Sequence, residues 1–245
     1  MVAPITIGGG ITIGGGISIG LPPTSVYTPL AGSLQFNGTN QYLGLSPGVT
    51  IGSGAFTLEG WFYNTGSWTT PAGLLGTDTQ DGLSWFNNDD TSFTLDKYGG
   101  GGTTNHTFPA GTLQTGKWQY IILSRDASQN EAMWIGTFVD NATTVTCDRS
   151  TSGIVNDGID FAGVSNQIAH FYGGFFAGNI TNFRATVGTA VYDPNDTTVT
   201  APTAPLTSLA NTQYLMLGAD VTTDTSGTQT VTNNFSVTQT STKPF

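Results

Sequence analysis

Glutamate occurs only twice in this 245-residue chain, at Glu59 and Glu131, and lysine and arginine together number six. Exposed helix faces are built largely from these three residues, so a chain this poor in them has little to make helix surfaces from. It is rich instead in Thr, Val, Ile and aromatics, which suit strands, and in Asn, Asp and 34 glycines, which suit turns. The fold class that follows is all-β. From Ser33 onward short apolar runs are broken by Gly, Asn, Asp or Pro about every ten residues, the pattern of a sandwich. The runs at 34–38, 42–45, 56–63, 83–86, 93–95, 118–123, 133–139, 168–172, 178–187 and 214–217 are the predicted strands. No shift of composition divides 33–245 into two domains.

The N-terminus is different. Ile5-Thr-Ile-Gly-Gly-Gly is repeated from Ile11, and a shortened copy from Ile17 leads to Pro22 and Pro23. Alternation puts Ile5 with Ile7, Ile11 with Ile13 and Ile17 with Ile19 on one face of each triplet. A unit this short cannot bury its isoleucines alone, and the copies are too few for a solenoid. Residues 1–23 are therefore read as an extended assembly arm that pairs with copies of the same chain, a homotrimer being favoured, and 24–32 as a linker.

The formal net charge is −10 and no Lys/Arg cluster occurs, which argues against nucleic acid as a partner. No stretch approaches the length of apolar residues that a transmembrane helix needs. The first residues lack the basic and apolar regions of a signal peptide. Cys147 is the single cysteine, so no intrachain disulfide can form. Together these features fit assembly in a reducing cytoplasm, with no membrane partner.

Six fragments, in order, carry a resemblance. They are the opening Ser33-Leu-Gln-Phe-Asn-Gly with Tyr42-Leu, Phe56-Thr-Leu-Glu-Gly-Trp-Phe, and Gly116-Lys-Trp-Gln-Tyr-Ile-Ile-Leu-Ser-Arg. After them come Phe176-Ala-Gly-Asn-Ile-Thr-Asn-Phe-Arg, the stretch from Ala190-Val-Tyr to Pro205-Leu-Thr, and the end from Leu215 through Asp224-Thr-Ser-Gly to Asn234. Spread over about 200 residues, they resemble the laminin-G-like, concanavalin A-like lectin family, in the version common in bacteriophage structural proteins. The resemblance implies an antiparallel β-sandwich jelly roll over 33–245. The chain departs from the pattern at Met133 to Phe138, where the family's Tyr/Asn-Gly hairpin is missing.

Glucanases share this fold and carry paired carboxylates in an E-x-D-x-x-E strand. Here Glu59 is followed two residues on by Trp61, with no second Glu, and Glu131 falls in a turn-like stretch. His106 and His170 have no Gly-x-Ser-x-Gly partner and are read as structural or surface residues. The chain is expected not to be an enzyme. No cofactor is required, although Asp78, Asp81, Asp89 and Asp90 supply oxygens that suit calcium. Aromatic rings beside amides suit sugars, which makes Trp68, Trp85, Asn87, Asn88 and Tyr98 the candidate glycan patch, with Trp61, Trp118 and Trp134 as core. The expected function is a virion structural protein, assembled in the host cytoplasm and displayed on the particle surface as capsid decoration or a head or tail fibre. Its partners would be its own copies, other virion proteins and host-surface polysaccharide. The alternative is a secreted, non-catalytic carbohydrate-binding module.

Overall fold

The computed structural model describes residues 5–7, 11–13, 28–140 and 142–245. Every helical or extended element among them is a strand, and no helix forms. Two antiparallel sheets pack face to face. The larger has ten strands, whose main path runs Thr198–Thr200, Thr146–Arg149, Asn130–Thr137, Trp118–Arg125, Phe56–Asn64, Ala177–Val187, Ser33–Asn37 and Thr238–Thr240. The smaller has seven, in the order Thr230–Asn234, Tyr42–Gly52, Phe161–Ile168, Ala72–Gly76, Leu83–Asp89, Ser92–Lys97 and Thr103–Thr107.

Between the sheets, Leu58, Phe62, Ile121 and Leu123 of the larger meet Leu43, Trp85, Phe93 and Ile168 of the smaller. The larger sheet has a second core on its other face. Trp61, Tyr120, Ile122, Trp134 and Cys147 point away from the sandwich interior and are covered there by Leu30, Tyr192, Ala201 and Phe245. Backbone and side-chain bonds pin this cover: Trp134 Nε1 donates to Asp196 O at 3.0 Å, Ser124 Oγ to Tyr192 O at 2.9 Å and Lys243 Nζ to Leu30 O at 2.6 Å. A strand buried on both faces needs apolar or fully bonded side chains at every position. All eight residues of Trp118–Arg125 are buried, which is why that run does not alternate.

The smaller sheet alternates only in part: Ala72–Gly76 and the leading residues of Leu83–Asp89 and Ser92–Lys97 are buried without a break. In Tyr42–Gly52, Leu43 and Leu45 point inward, while Tyr42, Gly44 and Ser46 face solvent. That stretch has the one wet face common in antiparallel sheets.

Of the expected linker at 24–32, the described residues 28–32 lie against the sandwich. Leu30 is buried in the cover, and Thr28 N donates to Thr203 O at 2.7 Å. In the arm, Ile5–Ile7 pairs antiparallel with Ile11–Ile13, Ile5 opposite Ile13 and Ile7 opposite Ile11. The first two Ile-Thr-Ile triplets thus pair with each other within the chain, and among the described residues each has one open edge. Ile17 and Ile19 lie outside the described residues.

Candidate functional site

With the outer face of the larger sheet covered, the outer face of the smaller one is the broad surface left for a ligand. Strand register assembles its first feature. Gly44 lies opposite both Thr232 and Gln167, and Tyr42 opposite Asn234. The missing side chain at Gly44 leaves a depression between these neighbours. The result is a cleft of about 250 Å³ lined by Tyr42, Gly44, Ser46, Asp78, Asn166, Gln167, Thr232 and Asn234. Asn166 Oδ1 is sequestered there with no hydrogen-bond partner.

A short hairpin packs beside the cleft, against Tyr42. Ala169 adopts φ of 66°, and this left-handed residue turns the chain out of Phe161–Ile168 and over the sheet. The hairpin strands His170–Phe171 and Gly174–Phe175 then lie on Ala72–Gly76. They can do so because Gly73 and Gly76 have no side chain. A Cβ at either position would run into the main chain of His170 and Phe171. Phe171 anchors the hairpin by stacking on Phe86, centroids 4.0 Å apart. His170 stacks on Phe175 at 4.1 Å, sits 5.3 Å from Tyr42 and donates from Nδ1 to Gln167 Oε1 at 2.8 Å. Burial lowers the His170 pKa, with Asp78 opposing, so the imidazole is neutral at pH 7.

The fourth ring comes from the turn after Thr230–Asn234. Phe235 and Ser236 have φ of 59° and 63°, and the Phe235 side chain is 61% exposed, 6.4 Å from Tyr42. Left-handed backbone costs a non-glycine residue about 1–2 kcal/mol. Bonds on both sides hold this turn. Gln41 Nε2 donates to Phe235 O and Ser236 O at 3.0 and 2.8 Å, and the Asn233 amide bonds both Val237 N and Val237 O. Strain that displays an apolar ring to water is an observation that points to function. Tyr42 thus lines a cleft of amides, hydroxyls and one carboxylate, with His170, Phe175 and Phe235 packed around its ring. Such a site can stack a sugar ring and bond its hydroxyls.

The residues predicted from sequence are placed differently. Trp68 and Trp85 are 2% and 0% exposed and belong to the core between the sheets, so neither presents a face to a ligand. Asn87 is buried too; its side chain bonds Ala72 N, Trp68 O and Thr70 O. Asn88 is exposed at a hairpin tip, and Tyr98 lies beside Tyr172, 5.1 Å away. The sequence patch therefore does not form as one surface. The polar run that follows Trp85 begins where its strand turns over, while Trp85 itself points inward.

The four aspartates do not converge either. Asp81 and Asp89 bracket the strand Leu83–Asp89 and are separated by roughly 26 Å at about 3.3 Å per residue. Asp81 pairs with Lys97 at 3.1 Å. Asp89 accepts bonds from Thr91 and Ser92, and the Thr91 backbone bond leads in lowering its pKa. Asp90 is exposed at the same turn, and Asp78 borders the cleft. Among the described residues, no three His, Cys, Asp or Glu side chains are grouped closely enough to hold a metal.

Both glutamates are buried. Glu59 lies under the cover of the larger sheet, paired with Arg184 and accepting from Tyr120 and Tyr192 hydroxyls at 2.5 and 2.6 Å. Burial, then the Glu59 charge, raises the pKa of both tyrosines. Glu131 bonds His106 Nε2 at 2.9 Å at the rim of the inter-sheet core, and burial raises its pKa. Neither carboxylate can reach a glycosidic bond. His106 is structural, as expected, whereas His170 is part of the candidate site.

No family model matches the chain, and no curated protein matches its sequence. Solved structures do. A candidate carbohydrate-binding protein of Bacteroides ovatus superposes with a TM-score of 0.60 at 14% identity, covering 87% of this chain. The chain spans 61% of the length of that protein. Domains LG4-5 of the mouse laminin α1 chain give a TM-score of 0.47 at 11% identity, over 70% of this chain and 46% of theirs. A native heptameric SAP-like pentraxin of Limulus polyphemus gives 0.46 at 11%, over 69% of this chain and 81% of its own. The chain is an all-β, antiparallel jelly-roll sandwich, as the sequence resemblance implied.

Proposed function

We propose that this chain is a non-catalytic glycan-binding module that takes sugar on the outer face of its seven-stranded sheet. One observation carries the reading: Phe235, held exposed on strained backbone, packs with His170 and Phe175 around Tyr42, which lines a polar cleft on the seven-stranded sheet. The fold likeness to a candidate carbohydrate-binding protein supports it, as fold alone. A glycan array followed by calorimetry tests it. Phe235→Ala is expected to weaken binding of the best ligand about tenfold, with melting temperature kept, since a stacked ring contributes about 1 kcal/mol or more. Unchanged affinity in that variant would refute the site.

Display on a virus particle, as capsid decoration or fibre, is compatible with such a module and rests on the repeated arm at 1–23. The open edges of the paired Ile5–Ile7 and Ile11–Ile13 strands favour pairing with further copies, a trimer among them. Light scattering on the full chain and on a chain lacking 1–23 decides this. An oligomer that becomes a folded monomer supports the arm's role, and two identical masses remove it.

A further inference from the structure

The hairpin at His170–Phe175 divides the open face rather than merely bounding it. On one side His170 and Phe175 meet Tyr42. On the other, Tyr172 is 53% exposed, packs at 5.1 Å on Tyr98 and donates its hydroxyl to Asp96 at 3.0 Å. One six-residue loop thus gives a ring to each half. Each half pairs rings with a carboxylate, Asp78 in the first and Asp96 in the second. From the strand of Thr232 to that of Asp96 the sheet measures roughly 24 Å, five steps of about 4.8 Å. That span holds several sugar units end to end.

Charge narrows the ligand further. Of six cations in the chain, Lys97 borders this face, and Asp81 holds it at 3.1 Å. Arg125 and Arg184 are buried, and Arg149, Lys243 and Lys117 lie against the ten-stranded sheet or its cover. Among the described residues the face therefore offers carboxylates and neutral groups but no unpaired cation. A uronate or sulfate ester would meet two carboxylates, on a chain of net charge −10, with no counter-charge.

We infer that the ligand is a neutral linear polysaccharide that engages both halves of the face across the hairpin, with Tyr172 as the second stacking platform. This rests on the glycan-binding reading above. The test is calorimetry on the full chain with glucan, mannan and xylan oligomers from the disaccharide to the octasaccharide, and with alginate and heparin oligomers of equal length. Affinity is expected to rise about tenfold from short to long neutral chains, and acidic chains to bind at least about tenfold more weakly. Tyr172→Ala should abolish the gain from length and leave short-chain affinity unchanged. Phe175→Ala should weaken short and long chains alike. Circular dichroism melts of both variants confirm folding. Length-independent affinity, a gain that survives Tyr172→Ala, or acidic chains binding as well as neutral ones would each overturn this inference while leaving the glycan-binding reading standing. Failure of every oligomer and of the parent polysaccharides to bind the folded protein would remove that reading and this inference with it.

Discussion

Four rings of the site come from residues 42, 170, 175 and 235, and nothing in their local sequence joins them. Register does, by bringing Thr230–Asn234 and Phe161–Ile168 to either side of Tyr42–Gly52. Phe235 alone carried a local signal: a large apolar residue set among Asn233, Asn234 and Ser236 in a turn. Trp85 misled for the converse reason. Its polar neighbours belong to the hairpin tip, while strand alternation turns its own ring inward. His170 gives this scale its pH prediction. Its folded-state pKa is depressed below the ordinary value near 6.5 by burial. The folded state therefore binds fewer protons than the unfolded chain just below that value, so this contribution is complete above it and is lost as pH falls. Urea titrations at neutral pH and about two pH units lower should show His170→Gln losing less stability on acidification than the parent chain. Glu131, whose raised pKa acts in the opposite sense, is common to both proteins and cancels. Equal acid losses would contradict the assignment.

At the scale of elements, the hairpin over Ala72–Gly76 is the part on which the site depends. Sequence reading placed a strand at 168–172, but not its departure from the sheet. The cause is spread over Ala169 in left-handed backbone, Phe86 as the stacking base, and the bare backbone at Gly73 and Gly76. A glycine in a strand often marks the close approach of another backbone, which is the signal that was available. Gly76→Ala forces the hairpin to move, because the added methyl meets main chain that has no flexible end to give way. The expected outcome is a folded sandwich with faster amide exchange across 169–176 and glycan affinity reduced about tenfold. Exchange rates identical to the parent would show that the hairpin is seated by something else.

For the whole molecule, the decisive asymmetry is that irregular chain covers the outer face of the larger sheet, whereas a single hairpin over Ala72–Gly76 lies on the smaller one. The two-sheet architecture was legible because Phe56–Asn64, Trp118–Arg125 and Ala177–Val187 are long runs that carry the family's motifs in the order the resemblance requires. The cover was not legible. It is made of irregular chain, in which Leu30, Tyr192 and Phe245 read as isolated apolar residues in polar loops. Glu59 reports on it: the carboxylate joins two strands of the sheet to the cover through Arg184, Tyr120 and Tyr192. Removing one member leaves the Arg184 charge without its partner, so Glu59→Ala should cost about 3–5 kcal/mol in denaturant unfolding. A loss below about 1 kcal/mol would mean that the cover is held without it.

Ligands are expected to meet this protein on the outer face of the seven-stranded sheet. Backbone and side-chain chemical-shift mapping during titration with the tightest-binding neutral oligosaccharide tests it directly. Shifts are expected to concentrate at Tyr42, Asn166, His170, Phe175, Thr232 and Phe235, with Trp61, Trp134 and the cover of the ten-stranded sheet unmoved. Shifts confined to that cover, with the cleft around Gly44 silent, would contradict it.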